Sequence, residues 1–175
     1  FTGRVDMTHV PGLLAGISFY TGKSQNKTDK AVKAQTSIFD LHTQYRYRGF
    51  QVRALYAKTS IGNATLLNEA NGLSGSKSVG EDMSGWYLEG AYKFTSLFPY
   101  SEWTLSPYLR YEQLDTQETV PTGFRNSPAT DRNIVTLGLD FNPISRVVVK
   151  TEYQRVRTEA QSGVNQFNVV LGFLF

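Results

Sequence analysis

The chain has 175 residues, with 18 Lys+Arg against 15 Asp+Glu, a formal charge of +3 and no cysteine. This length fits one domain, the charge is too small to argue for nucleic acid, and disulfide scaffolds, thiolate metal sites and cysteine nucleophiles are excluded. The 11 Phe, 10 Tyr and 2 Trp exclude a disordered chain, and the longest apolar run, Val169–Phe175, is far short of the ~20 residues of a spanning helix.

Mean hydropathy is negative, at -0.33. Taken as an average, it describes a soluble protein; the periodicity argues otherwise. Apolar residues recur every second position, the spacing of strands. In chain order the sequence predicts strands at about 1–9, 13–22, 36–47, 50–60, 84–95, 103–116, 133–142, 146–158 and 165–175. A single helical turn is allowed at Thr65–Asn71. Pro107 falls mid-strand, where it removes a ladder donor, so a bulge or local break is expected there.

The connections alternate in length. Val10-Pro11-Gly12, Arg48-Gly49 and Asn142-Pro143-Ile144-Ser145 are short, and Ser96–Glu102 is somewhat longer. The stretches at about 23–35, 61–83, 117–132 and 159–164 are long or rich in Ser, Asn, Thr, Gly and Lys. An antiparallel meander with short turns at one end and long loops at the other has the shape of a membrane β-barrel.

The two faces of the strands differ in kind. One carries, at alternate positions, Leu13 to Phe19, Phe39 to Tyr47, Phe50 to Tyr56, Trp86 to Phe94, Trp103 to Tyr111, Val135 to Phe141, Val147 to Tyr153 and Phe167 to Phe175, none of them charged. The other carries Asp40, His42, Arg46, Arg53, Glu89, Lys93, Arg110, Glu112, Asp140, Lys150 and Glu152. A soluble sandwich or lipocalin alternates too, with the apolar face inside. Aromatic placement favours lipid. Rings sit at the strand ends and aliphatics in the middle: Trp103, Leu105, Pro107, Leu109, Tyr111; Phe167, Val169, Leu171, Phe173, Phe175. With Trp86, Tyr92, Phe94, Phe141 and Tyr153 they mark two interfacial girdles. Trp103 to Tyr111 covers about 26 Å of strand, most of an apolar band once tilted. The acids and bases of the other face suit a hydrated, cross-paired lumen.

The last strand, an alternating apolar ladder ending on Phe175, resembles the C-terminal signature of Gram-negative outer-membrane barrels, which implies recognition by their assembly machinery. Arg4–Leu13 followed by Gly16–Gly22 resembles an internal strand–turn–strand of outer-membrane porins. Leu105–Glu112, with Asp115-Thr116-Gln117 and Val120–Phe124, and Asn133–Gln154 with its Asn142-Pro143 turn, are similar to segments of porins related to the phosphate-selective O/P group. The resemblance implies the C-terminal part of a barrel of about sixteen strands, and Phe1–Asp6 reads as the middle of a strand. The other reading has residues 1–12 as a lead-in and strands two to nine closing an eight-stranded barrel. The family's phosphate-binding ladder of Arg and Lys does not transfer, because it does not align residue by residue.

The expected fold is therefore an all-β antiparallel transmembrane barrel, of eight or nine strands in this chain, in the bacterial outer membrane. The expected function is passive diffusion of small hydrophilic solutes or ions along the polar face, with no cofactor and no metal. Expected partners are outer-membrane lipid and lipopolysaccharide, the barrel-assembly machinery, small polar solutes and further copies of the chain in a homotrimer; nucleic acid is not one. The alternatives are a small structural or adhesive barrel with a filled lumen, a barrel sheathing an electron-transfer partner, and a barrel enzyme.

Arg46, Arg53, Lys93, Arg110 and Lys150 form either a lumenal basic track or ion pairs with Asp40, Glu89, Glu112, Asp140 and Glu152 across neighbouring strands. Asp40 and His42 share the polar face, but only His9 and His42 exist and no serine motif accompanies them, which argues against catalysis. Lys23, Lys27, Lys30 and Lys33 make the 22–35 segment a loop that either contacts lipopolysaccharide phosphates or is simply solvated. The 61–83 loop either enters the lumen or caps the outside.

Overall fold

The computed structural model describes residues 1–24, 33–94 and 102–174. Nine strands follow one another: β1 Thr2–Met7, β2 Leu13–Ser24, β3 Ala34–Tyr47, β4 Phe50–Gly62, β5 Asp82–Tyr92, β6 Thr104–Thr119, β7 Asp131–Ile144, β8 Val147–Thr158 and β9 Gln166–Phe173. They form one antiparallel sheet in the order β1 to β9. Each expected strand is present, within a few residues of its expected bounds. Only one helix accompanies them among the described residues, α1 Ala64–Ala70, longer than the single turn expected. Phe175, Lys27 and Lys30 lie outside the described residues.

The first strand is an integral part of the sheet. β2 is paired on one side by β3 and on the other, over Ala15–Tyr20, by β1. β1 and β9 are the sheet's edges, and no ladder joins them among the described residues.

Turn chemistry sets the registers. Between β3 and β4 the two turn residues Arg48 and Gly49 both have positive φ, 46° and 87°. That is the geometry whose twist matches the flanking strands of a two-residue hairpin. At the end of β7 the pairing slips by one residue between Phe141 and Ile144. The slip falls on Asn142-Pro143, where proline cannot supply a ladder N–H. Pro107 has a milder effect. β6 remains continuous and Pro107 pairs with Leu139 of β7. On the β5 side the ladder stops at Ala91↔Tyr108 and resumes only as an isolated Phe94↔Leu105 bridge. The expected disturbance is thus a gap opposite the missing donor, without a bulge.

The registers place the alternating positions of neighbouring strands in common rows. One row reads Leu13, Tyr45, Val52, Gly90, Leu109, Leu137, Tyr153, Phe167. The row beside it, on the opposite face, reads Leu14, Gln44, Arg53, Glu89, Arg110, Thr136, Gln154, Gln166. The face that is apolar in sequence is therefore one continuous surface.

That apolar surface is the exposed one. Leu88, Leu109 and Leu137 are 51%, 56% and 62% exposed, while their immediate neighbours Glu89, Tyr108 and Thr136 are 8%, 4% and 0% exposed. A sheet folded for water has the opposite order. The long polar side chains pair with one another on their own face, and the aliphatic ones are left exposed on the other.

Candidate functional site

The polar face gathers its charges into clusters. At the centre, Glu89 of β5 stands between its two ladder partners, Arg53 of β4 and Arg110 of β6. The guanidinium of Arg53 is 3.6 Å from Glu89 and that of Arg110 is 3.8 Å from it. Arg110 Nε lies 2.8 Å from Glu112 on the same strand. A chain of alternating sign, Arg53–Glu89–Arg110–Glu112, results. Like charges never sit directly opposite one another in it, which would destabilise the pairing.

A second cluster centres on Glu152 in β8. Its carboxylate accepts the hydroxyl of Tyr108 at 2.6 Å, the amide of Gln154 at 3.0 Å and the amide of Asn168 at 3.2 Å, and Lys150 Nζ is 3.6 Å away. The Lys150 ammonium also stands 4.6 Å from the centre of the Tyr108 ring, a cation–π geometry. Tyr108 lies flat because its ladder partner is Gly138, where a Cβ would overlap the ring.

Between these clusters is a polar recess of about 150 Å³, lined among others by Arg53, Lys93, Lys150, Glu89 and Asp140. Three cations face two carboxylates there, a local excess of one positive charge. Asp140 is the ladder partner of Lys150, and its Oδ1 is buried without a hydrogen bond. Lys93 is exposed at the edge of the recess. A larger recess of about 810 Å³ lies mostly on the apolar face, where Ala15, Thr43 and Ala54 are shorter than the side chains around them. Few polar groups converge on it.

The third cluster joins β1 to β3. His42 Nδ1 is 2.7 Å from Asp40 and Nε2 is 2.8 Å from Asp6. Arg4 is 2.8 Å from Asp6, and the Ser18 hydroxyl donates to Asp40. Both nitrogens of the His42 ring thus face carboxylates, and the nearest serine bonds to Asp40. Neither ring nitrogen is therefore left free to take the proton of a hydrolytic nucleophile. No set of three His, Asp or Glu side chains is arranged to hold a metal ion among the described residues.

The candidate lumenal residues accordingly divide. Arg53, Glu89, Arg110 and Glu112 form one cluster, Lys150 and Glu152 another, with Asp140 and Lys93 at the recess between them, and Asp40 and His42 stand apart. Arg46 is exposed and has no carboxylate within 4 Å among the described residues. Among the described residues four of nine ion pairs run along a strand rather than across it, as in Arg110–Glu112 and Lys150–Glu152. Tyr108, Arg4 and Asp6 escaped the sequence reading. The first reads as one more aromatic until the register sets it on Gly138, and the other two belong to the segment taken in one reading as a lead-in.

On the apolar face the rings form two groups. Near the short turns Phe50 meets Tyr92 at 4.5 Å, Tyr92 meets Phe94 at 4.7 Å and Trp103 meets Phe141 at 5.6 Å. Toward the long loops Trp86 meets Tyr111 at 5.3 Å. The polar atoms of the latter two point loopward: Trp86 Nε1 donates to Gln113 at 3.3 Å and the Tyr111 hydroxyl to Asn133 at 2.7 Å. Tyr153 and Phe167 are ladder partners on this face, and Phe173 pairs with Val147 near the short turns.

The rim is ordered by side chains. Gln117 Nε2 donates to the Ser76 carbonyl at 3.3 Å and its Oε1 accepts from Ser127 N at 2.7 Å. Asn68 exchanges two hydrogen bonds with the Val79 backbone, at 3.0 and 2.7 Å. These bonds tie the 61–83 loop to itself and to the loopward end of β6. Asn63 stands at the N-cap position of α1 in a left-handed conformation, without a side-chain capping bond, and its amide donates instead to the Lys33 carbonyl at 2.9 Å.

Among known proteins, the chain is similar to an uncharacterized protein of Aquifex aeolicus (strain VF5), 28% identical over 160 residues that make up 89% of this chain. The chain spans 36% of the length of that relative. No protein-family model matches the sequence. No solved structure matches it.

Proposed function

We propose that the sheet is part of the wall of a transmembrane β-barrel in the outer membrane of a Gram-negative bacterium, and that the protein is a porin for small hydrophilic solutes and ions. One observation carries this reading: the exposed face is apolar and uncharged through the middle of every strand, while the charged face is the sheltered one. Hydrocarbon tolerates a continuous apolar surface only where every backbone group is paired, as in a barrel wall. The two ring groups with their loopward polar atoms fit the two levels of lipid headgroups. Kinship with porins related to the phosphate-selective O/P group belongs to the same proposal.

In this reading water and ions pass along the Arg53–Glu89–Arg110–Glu112 chain and the recess beside it. Paired charges of both signs keep the wall wettable and give little selectivity. The single excess cation at the recess favours anions weakly. His42 acts as a link between Asp40 and Asp6, not as a base.

Single-channel recording of the full-length protein in planar bilayers tests the proposal. Stepwise conductance is expected, and a bilayer that stays closed at high protein concentration rejects a channel. The charge chain also favours a second reading, a barrel whose lumen is filled by its own side chains. That form inserts and resists unfolding in detergent but does not conduct.

A further inference from the structure

We infer that Arg155 and Arg157 form an outward-facing cradle for the phosphate of a glycolipid headgroup in the membrane leaflet at the long-loop end. This rests on the barrel reading above. In β8 the positions Val149, Thr151 and Tyr153 share the apolar face, and the next two on that face are Arg155 and Arg157, both exposed. Their ladder partners are Val135 and Asn133.

Their height relative to the ring group is set by contacts already described. Asn133, the partner of Arg157, accepts the Tyr111 hydroxyl, so Arg157 stands level with the polar ends of the girdle. Arg155 stands one row nearer the apolar band. Two guanidinia on alternate positions are about 7 Å apart at the backbone, a span over which long side chains bracket one phosphate. Arginine forks match phosphate oxygens in pairs.

Neither arginine has a carboxylate within ion-pair distance among the described residues. The contrast on the same face is Lys58, which is 4.0 Å from Asp82 and 3.7 Å from Glu118. Glu152 is on the opposite face with Tyr108. The next carboxylates on this face lie one row outward: Asp131, two residues from Asn133, pairs with Asp115, and Glu159, two residues beyond Arg157, donates its N–H to the Asp131 carbonyl. A free anion arriving from solution meets those carboxylates first. A phosphate carried on acyl chains arrives from the apolar side and meets the arginines. The geometry therefore selects a lipid-borne phosphate over a dissolved one.

The test is native mass spectrometry of the full-length protein in detergent, titrated with bisphosphorylated lipid A. Binding is expected for the native protein and for Lys58→Gln, and at least about tenfold weaker binding for the double variant Arg155→Gln, Arg157→Gln. Dephosphorylated lipid A is expected to bind as weakly as that variant, and millimolar inorganic phosphate is expected not to displace the lipid. Equal affinity of the double variant, equal binding of the dephosphorylated lipid, or displacement by inorganic phosphate overturns the inference. Heat-dependent gel mobility of each protein reports the barrel separately. A double variant that keeps this mobility and still binds defeats the cradle alone, while a native protein without it defeats the barrel and the cradle together.

Discussion

The ring of Tyr108 in β6 covers the backbone of Gly138, its ladder partner in β7, and reaches past it to donate its hydroxyl to Glu152 in β8. Three strands are thereby joined by one side chain. The residue is only 4% exposed, although it stands on the polar face. Gly138 has no special backbone conformation to maintain. Its role is the space that it leaves.

Gly138→Ala puts a methyl group where the Tyr108 ring lies. The expected cost is about 1–3 kcal/mol, typical of added volume at a packed site. Tyr108→Ala is expected to suppress much of it, so the double variant should cost less than the sum of the two singles. Unfolding in urea of the protein folded in detergent measures this, and simple additivity would argue against the contact as the cause.

Glu89→Gln removes the negative charge that separates Arg53 from Arg110 and leaves both guanidinia with a neutral neighbour. If the polar face lines a channel, the reversal potential in a salt gradient shifts toward anions. Arg53→Glu should shift it toward cations. The expected stability loss for Glu89→Gln is about 1–3 kcal/mol, the range for a sheltered polar group that loses its partner. An unchanged reversal potential in both variants removes the central chain from the conduction path.

Leu137→Arg and Gln154→Arg compare the two faces directly, because the former lies mid-row on the apolar side and the latter in the adjoining polar row. In a lipid-embedded wall Leu137→Arg should cost about 2–4 kcal/mol of folding into bilayers, and Gln154→Arg much less. Folding titrations into short-chain lipid vesicles give both values. Comparable costs at the two sites would be incompatible with a lipid-facing Leu137.

His42→Ala breaks the link between Asp40 and Asp6, one of the side-chain ties holding β1 against the rest of the sheet. The loss is worth about 1 kcal/mol for a typical hydrogen bond, so amide exchange across Thr2–Met7 should quicken several-fold while β6–β8 stay unchanged. Hydrolytic assays of the same variant should match the native protein. Loss of a measured hydrolysis would restore His42 as a catalytic base.

Much of the fold is legible in the residues alone because a strand's side chains alternate strictly. The runs Phe39–Tyr47, Trp103–Tyr111 and Phe167–Phe173 identify both their secondary structure and their two faces. Short turns such as Arg48-Gly49 then dictate which strands are neighbours. The opposition of an uncharged face to a charged one follows from the same period. The charge pairing is less legible. Arg110 and Lys150 were expected to reach acids on the next strand. Arg110 reaches Glu89 and also Glu112 on its own strand, whereas the ion pair of Lys150 is with Glu152 two residues along its own strand and not with its ladder partner Asp140, since a long flexible side chain bends to the nearest carboxylate.

What the sequence by itself determined is the pattern: nine strands, their order, and which side chains share a surface. Only the tertiary structure decided which surface is sheltered and which groups meet across it. The register slip at Asn142-Pro143 falls where proline has no N–H to give, and the one between Asp82 and Ser84 is spanned by Asp82 N donating to Thr119 Oγ1 at 3.1 Å; a shift of one residue exchanges the faces of everything beyond it. Tyr108 over Gly138, Asp6 beside His42, and Arg157 level with the Tyr111 hydroxyl all depend on that register. These residues are 30 to 46 positions apart in the chain, and no local period relates them.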